Sequence, residues 1–128
     1  MYVVTVKGIK KKDSVPDNTV IREISTKEAL QDIIERIPYI QTIQAPNSRI
    51  RKELYQMAMD QYEDLEWVKV IKSVYLRMQD KHYEEYEPAF MNKAKDFLYT
   101  EMSIRFEIPL DQVENFINQE VEKQLDEF

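Results

Sequence analysis

Residues 47–77, NSRIRKELYQMAMDQYEDLEWVKVIKSVYLR, hold the only Trp of the chain and decide its fold class. Asn47 is a residue type that caps helices, and behind it Ile50, Leu54, Met57 and Ala58 recur at three- and four-residue spacing, the period of a helix buried on one side. Measured from Ile50 at about 100° per residue, Arg49, Lys52 and Gln56 point to the opposite face. Asp64 is then expected to cap a second helix. There Trp67, Val70, Ile71, Val74, Tyr75 and Met78 form one apolar stripe, while Leu65, Val68 and Leu76 lie on another side, so this helix should be central.

Downstream, Phe90, Ala94, Phe97, Leu98 and Met102 predict a third helix starting near Pro88, a residue tolerated in a first turn. A fourth follows EIPLD, with Val113, Phe116, Ile117, Val121 and Leu125 as its buried row. Upstream, Ser25 and Glu28 match the capping-box spacing, and Ala29, Leu30, Ile33, Ile34 and Ile37 share a face until Pro38 stops the helix. MYVVTVKG, ending at the only Gly, reads as a strand and turn, KKKDSVPDN as an exposed connection, and TVIREI as a second short strand. The expected fold is mainly α: a two-stranded β remnant (1–24), a linking helix and loop (25–46), and a compact four-helix, bundle-like domain (47–128).

Composition narrows the function. The 128 residues are 43% hydrophobic and 33% charged, ordinary for one globular domain, and with no Cys and a single His (His82) they offer no thiolate or histidine cluster. One Gly rules out a glycine-rich phosphate loop, so no catalytic residue, metal site or cofactor is expected, and the chain should not be an enzyme. The YEEYE run at 83–87 reads as a polar loop, and Trp67, inside its apolar stripe, as core. No apolar run would span a bilayer and no secretion-signal layout opens the chain, so a cytoplasmic protein without a membrane is expected.

The formal charge is −6 and the pI about 4.9, which repels nucleic acid unless cations gather locally. They gather at the start of the first bundle helix, where Arg49, Arg51 and Lys52 adjoin backbone N–H groups suited to phosphate. An ordinary solvated face is the competing reading. The last helix, with Glu114, Glu120, Glu122, Asp126 and Glu127 against Lys123, should repel DNA.

Two longer pieces, residues 47–77 and NKAKDFLYTEMSIRFEIPLDQVENFI, resemble the carboxyl-terminal helical domain of the CarD family, in the form common in Firmicutes. EWVKVIKSVYLR is similar to that group's Glu-Trp, Ile-Lys and Tyr-x-Arg run, and LYTEMS with IPLDQV to its Leu-Tyr-x-Glu-Leu and Ile-Pro sequence. VPDNTVIREISTKEAL resembles the junction behind the family's small Tudor-like barrel, and MYVVTVKG one of its late strands. The resemblance implies a bacterial transcription regulator that binds the β subunit of RNA polymerase through the barrel and touches promoter DNA through the helical domain.

The sequence departs from the family in three ways. The resemblance starts where only the last two barrel strands remain. Ser48 stands where members that hold promoters open place a Trp. Residues 47–81 carry seven Lys and Arg against six Asp and Glu. DNA affinity should therefore be weak and depend on tethering to the polymerase. Arg49, Arg51, Lys52 and Lys72 are the expected phosphate contacts, and Tyr2, Val4 and Val6 the expected partner contacts. The alternative is a non-DNA-binding interaction module whose exposed strand edge pairs with a partner or a second copy in a homodimer.

Overall fold

The computed structural model describes residues 1–125. It is mainly α, with five helices and a small antiparallel sheet near the amino terminus. Asp126 and Glu127, counted above in the acidic last helix, lie outside the described residues. No described helix is long and apolar enough to cross a membrane. The chain divides into two compact units, one formed by Met1–Pro38 with the chain from Tyr99 on, the other by Tyr39–Leu98.

The first unit opens with three strands rather than two: β1 (Tyr2–Thr5), β2 (Gly8–Lys11) and β3 (Arg22–Glu23), in the order β2-β1-β3. The connection expected from Lys10 on thus starts inside a strand, and TVIREI shrinks to two paired residues. Val6 and Lys7 make the β1–β2 turn. The Thr5 hydroxyl closes it, donating to the Gly8 carbonyl at 2.9 Å and accepting the Lys7 N–H at 3.1 Å. Gly8 leaves the turn at φ +123°, a conformation closed to most side-chain-bearing residues. Because β1 is central, its backbone is paired on both sides, and Val3, Val4 and Thr5 are buried. Tyr2 and Val4 therefore offer no free edge to a partner. Val6 alone of the three expected contacts is exposed, at the turn.

Helix α1 (Lys27–Arg36) is capped by Thr26, whose hydroxyl accepts the Ala29 N–H at 3.1 Å, and not by Ser25. The main chain of Ser25 is committed elsewhere: its N–H donates to Glu101 at 2.6 Å and its carbonyl accepts from Arg105 Nε at 2.7 Å. Glu101 and Arg105 stand one turn apart on α4 (Glu87–Phe106), so together they clamp the strand-to-helix link. Glu101 is fully buried and also takes Arg22 Nη1 at 2.8 Å. Past α4, Glu107 at φ 55° and the Ile108 N–H bonded to the Ser103 carbonyl turn the chain into α5 (Val113–Leu125). Helix α5 packs on α1, Val113 and Ile117 are its buried residues, and Phe116 meets Phe106 at 4.9 Å. The last helix therefore lies in the same compact unit as the amino-terminal sheet. Leu125, placed in the buried row by periodicity, is exposed.

The second unit holds α2 (Ser48–Met59), α3 (Asp64–Gln79) and α4 as far as Leu98. Asn47 caps α2, its side chain accepting the Ile50 N–H at 2.9 Å. The buried face of α2 is Tyr55, Ala58 and Met59, whereas Met57 is 61% exposed, so the stripe sits one position round from the one the aliphatic spacing predicts. Asp64 opens α3 as its first residue, behind Glu63 at the cap position. Trp67 is fully buried and stacked on Phe97 at 5.0 Å and 17°, with Tyr62 edge-on to the same ring. The carboxyl end of α3 is less central than its sequence suggests, for Tyr75 and Leu76 are 52% and 43% exposed. The extended chain before α2 lies along α3, with the Ile43 N–H on Ser73 at 2.8 Å and Lys72 Nζ on the Ile40 carbonyl at 2.7 Å.

Candidate nucleic-acid interface

At the amino end of α2, helix geometry and positive charge coincide. A helix leaves its first N–H groups without intrahelical partners. Asn47 satisfies that of Ile50, which leaves those of Ser48 and Arg49 at the tip. The macrodipole adds partial positive charge, and the first turn contains no acidic residue to offset it. A cation in such a turn costs on the order of 0.3–1 kcal/mol, so the sequence holds Arg49, Arg51 and Lys52 against the local field rather than with it.

The four expected contacts separate by their partners. Arg49 is exposed, with no hydrogen bond or ion pair among the described residues. Lys52 is exposed and stands 5.5 Å over the ring of Tyr86, a cation–π contact that restrains the ammonium without neutralising it. Arg51 is half-buried and turns its Nη2 back to the Ala45 carbonyl at 3.4 Å. Lys72 is half-buried and holds the chain at Ile40, as above. Arg49 and Lys52 are thus presented to solvent at the tip, while Arg51 and Lys72 secure the segment leading into it.

Sequence reasoning missed what holds this tip in place. The Tyr86 hydroxyl donates to the Ser48 carbonyl at 2.8 Å and lies 3.2 Å from the Ser48 hydroxyl. Its ring joins Tyr55 and Phe90 at 6.4 and 6.1 Å. Next to it Glu87, part of the run read as a polar loop, is fully buried at the start of α4. Its carboxylate accepts from the Tyr55 hydroxyl at 2.8 Å, from Arg77 Nε at 2.9 and 3.0 Å, and from the Glu84 N–H at 2.9 Å. Burial, then the hydrogen bond to the Glu87 carboxylate, push the Tyr55 hydroxyl above its ordinary pKa. The one available signal was spacing, since Tyr86 lies four residues before Phe90 and continues its row. No family model matches the chain, and no curated protein matches it.

Two exposed cations and free N–H groups suit a backbone contact, which positions a protein on nucleic acid without reading its sequence.

Proposed function

We propose that the chain is a regulator of transcription of the CarD type, which binds RNA polymerase and contacts promoter DNA through its helical unit. The observation that supports this reading is the α2 tip, where Arg49 and Lys52 are exposed beside unsatisfied N–H groups and no first-turn carboxylate competes for them. The polymerase contact rests on the resemblance of the sequence. The strand-edge alternative has less to work with, since β1 is central and the outer strands β2 and β3 are four and two residues long.

The test is co-retention of the chain on a polymerase–promoter complex, beside the double variant Arg49→Gln, Lys52→Gln. Two phosphate contacts contribute about −1.8 to the salt slope, a factor of about 12 between 50 and 200 mM salt, so the slope of the double variant should be shallower than the parent's by about that amount. A chain that is not retained by polymerase, or a double variant with the parent's slope, defeats the reading.

A further inference from the structure

Four further cations lie outside the α2 tip. Lys7, Lys10, Lys11 and Lys12 fall within six residues of one another, and residues 1–12 contain no Asp or Glu, in a chain whose net charge is −6. All four are exposed, and none forms an ion pair among the described residues. Lysines on an edge strand ordinarily guard it against pairing. That accounts for Lys10 and Lys11 but not for Lys7 in the turn or Lys12 beyond the strand.

The geometry of β2 separates the partners such a surface could take. Lys12 N–H donates to the Met1 carbonyl at 3.0 Å, which sets the phase of the ladder. Gly8, Lys10 and Lys12 turn their backbone groups towards β1, and Ile9 and Lys11 turn theirs outward. The outward carbonyl of Lys11 already accepts the Ser14 hydroxyl at 2.7 Å. An incoming strand would meet a complete donor and acceptor pair only at Ile9, too little for strand addition. Pairing β2 with its own copy would also set lysines against lysines. The side chains remain. Those of Lys10 and Lys11 alternate and so flank the edge from both faces, leaving flexible ammonium groups beside it with no carboxylate among residues 1–12.

We propose that the β1–β2 hairpin is a second nucleic-acid contact, binding the phosphodiester backbone through Lys7, Lys10, Lys11 and Lys12. It adds to the proposed function and does not depend on Arg49 or Lys52.

The experiment uses the full chain and measures fluorescence anisotropy on a labelled DNA duplex and on a single strand of the same length, each across a salt series. The hairpin variant carries Lys7→Gln, Lys10→Gln, Lys11→Gln and Lys12→Gln, with Arg49→Gln, Lys52→Gln as comparison and circular dichroism as the folding control. Removing three to four phosphate contacts should make the duplex salt slope shallower by about 2.7–3.6, or by about 0.7 per contact on the single strand. The probe that shows the larger change identifies the preferred form. A hairpin variant that keeps the parent's affinity and slope overturns the proposal, as does a parent that binds neither probe at low salt. Competition by poly-glutamate as strong as by DNA of equal charge would also overturn it, because the surface would then be a general polyanion site. Retention on polymerase–promoter complexes is scored separately, so loss there in the α2 variant alone leaves the α2 reading standing while the hairpin falls, and the converse pattern does the reverse.

Discussion

Replacing Glu87 probes the charge network that holds the second unit. Its carboxylate is fully buried and accepts hydrogen bonds from Arg77, the Tyr55 hydroxyl and the Glu84 N–H. Glu87→Ala removes all of these and leaves the buried Tyr55 hydroxyl without its acceptor. Breaking a buried ion pair costs about 3–5 kcal/mol, but Arg77 is 28% exposed and can recover water, so the lower end, about 3 kcal/mol, is expected. Glu87→Gln keeps the volume and an oxygen for Tyr55 and gives up the charge, so it should cost about 1.5 kcal/mol. At roughly 3–5 °C per kcal/mol for a chain of this length, the Ala variant should melt about 10 °C below the parent and the Gln variant about half that. Two probes are needed, because a chain of two compact units need not melt in a single step. Trp67, stacked on Phe97 in the same unit as Glu87, reports that unit by fluorescence, and dichroism at the helix band reports the whole. An Ala variant within about 0.5 kcal/mol of the parent, the range of an ordinary surface change, would refute the network. A Gln variant worse than Ala would refute the assignment of the loss to missing acceptors.

Thr26→Ala should cost about 1 kcal/mol in urea denaturation and Ser25→Ala only a few tenths, because the Thr26 side chain caps α1. The reverse order would return the cap to Ser25. Lys81 and Glu107 hold left-handed backbone just past α3 and α4, at φ 59° and 55°, so Lys81→Gly and Glu107→Gly should each raise stability by about 1 kcal/mol, readable as a higher urea midpoint. Burial raises the pKa of Tyr55 and Tyr99, with the Glu87 carboxylate adding to it for the first and the Glu114 charge for the second. In the unfolded chain both ionise near the ordinary value of about 10, so stability is complete below that pH and falls above it, by up to about 1.4 kcal/mol per pH unit for the fully buried Tyr55 and by less for the half-buried Tyr99. In a titration followed at 295 nm they should ionise only as the chain unfolds, and an early, reversible signal from all tyrosines would contradict the burial.

What was legible in the sequence was carried by apolar spacing. Leu30 and Ile34 on α1, Trp67 and Val74 on α3, Ala94 and Met102 on α4, and Val113 on α5 are buried where a helical period puts them. On α2 the expected row Ile50, Leu54, Met57 and Ala58 is realised at Ala58, half-buried at Ile50 and Leu54, and lost at Met57. Tyr55 and Met59 are buried instead, Tyr55 having a buried acceptor in Glu87 more than thirty residues away. The cap of α1 moved by one residue for the same kind of reason, since Ser25 is claimed by Glu101 and Arg105 from the far end of the chain. Strand β2, GIKK, gives no alternating apolar signal because neither of its faces is buried along its length. Of the four cations chosen by position along the chain, two proved to be holding main-chain carbonyls. Lys72 and Arg51 look no different from Lys52 and Arg49 in sequence, and only the path of residues 40–46 separates them.

Two fully buried carboxylates, Glu87 and Glu101, stand on α4, and their placement explains how this chain fixes segments that carry little apolar signal. Glu87 gathers Arg77, Tyr55 and the Glu84 N–H in one unit, and Glu101 gathers Arg22 and the Ser25 N–H in the other. In each case a buried charge is matched by a partly exposed guanidinium and a backbone donor. Such a pair stabilises little over a well-packed apolar substitute, yet it is costly to break on one side only. It selects one arrangement more than it adds net stability. For the α2 tip the consequence is direct. Tyr55 ties the middle of α2 to Glu87, and Tyr86, the residue before Glu87, ties the first turn through Ser48 and sits beneath Lys52. The backbone that presents Arg49 and Lys52 is therefore fixed from two sides, so in the proposed contact an anion would have to order two side chains and not the helix end.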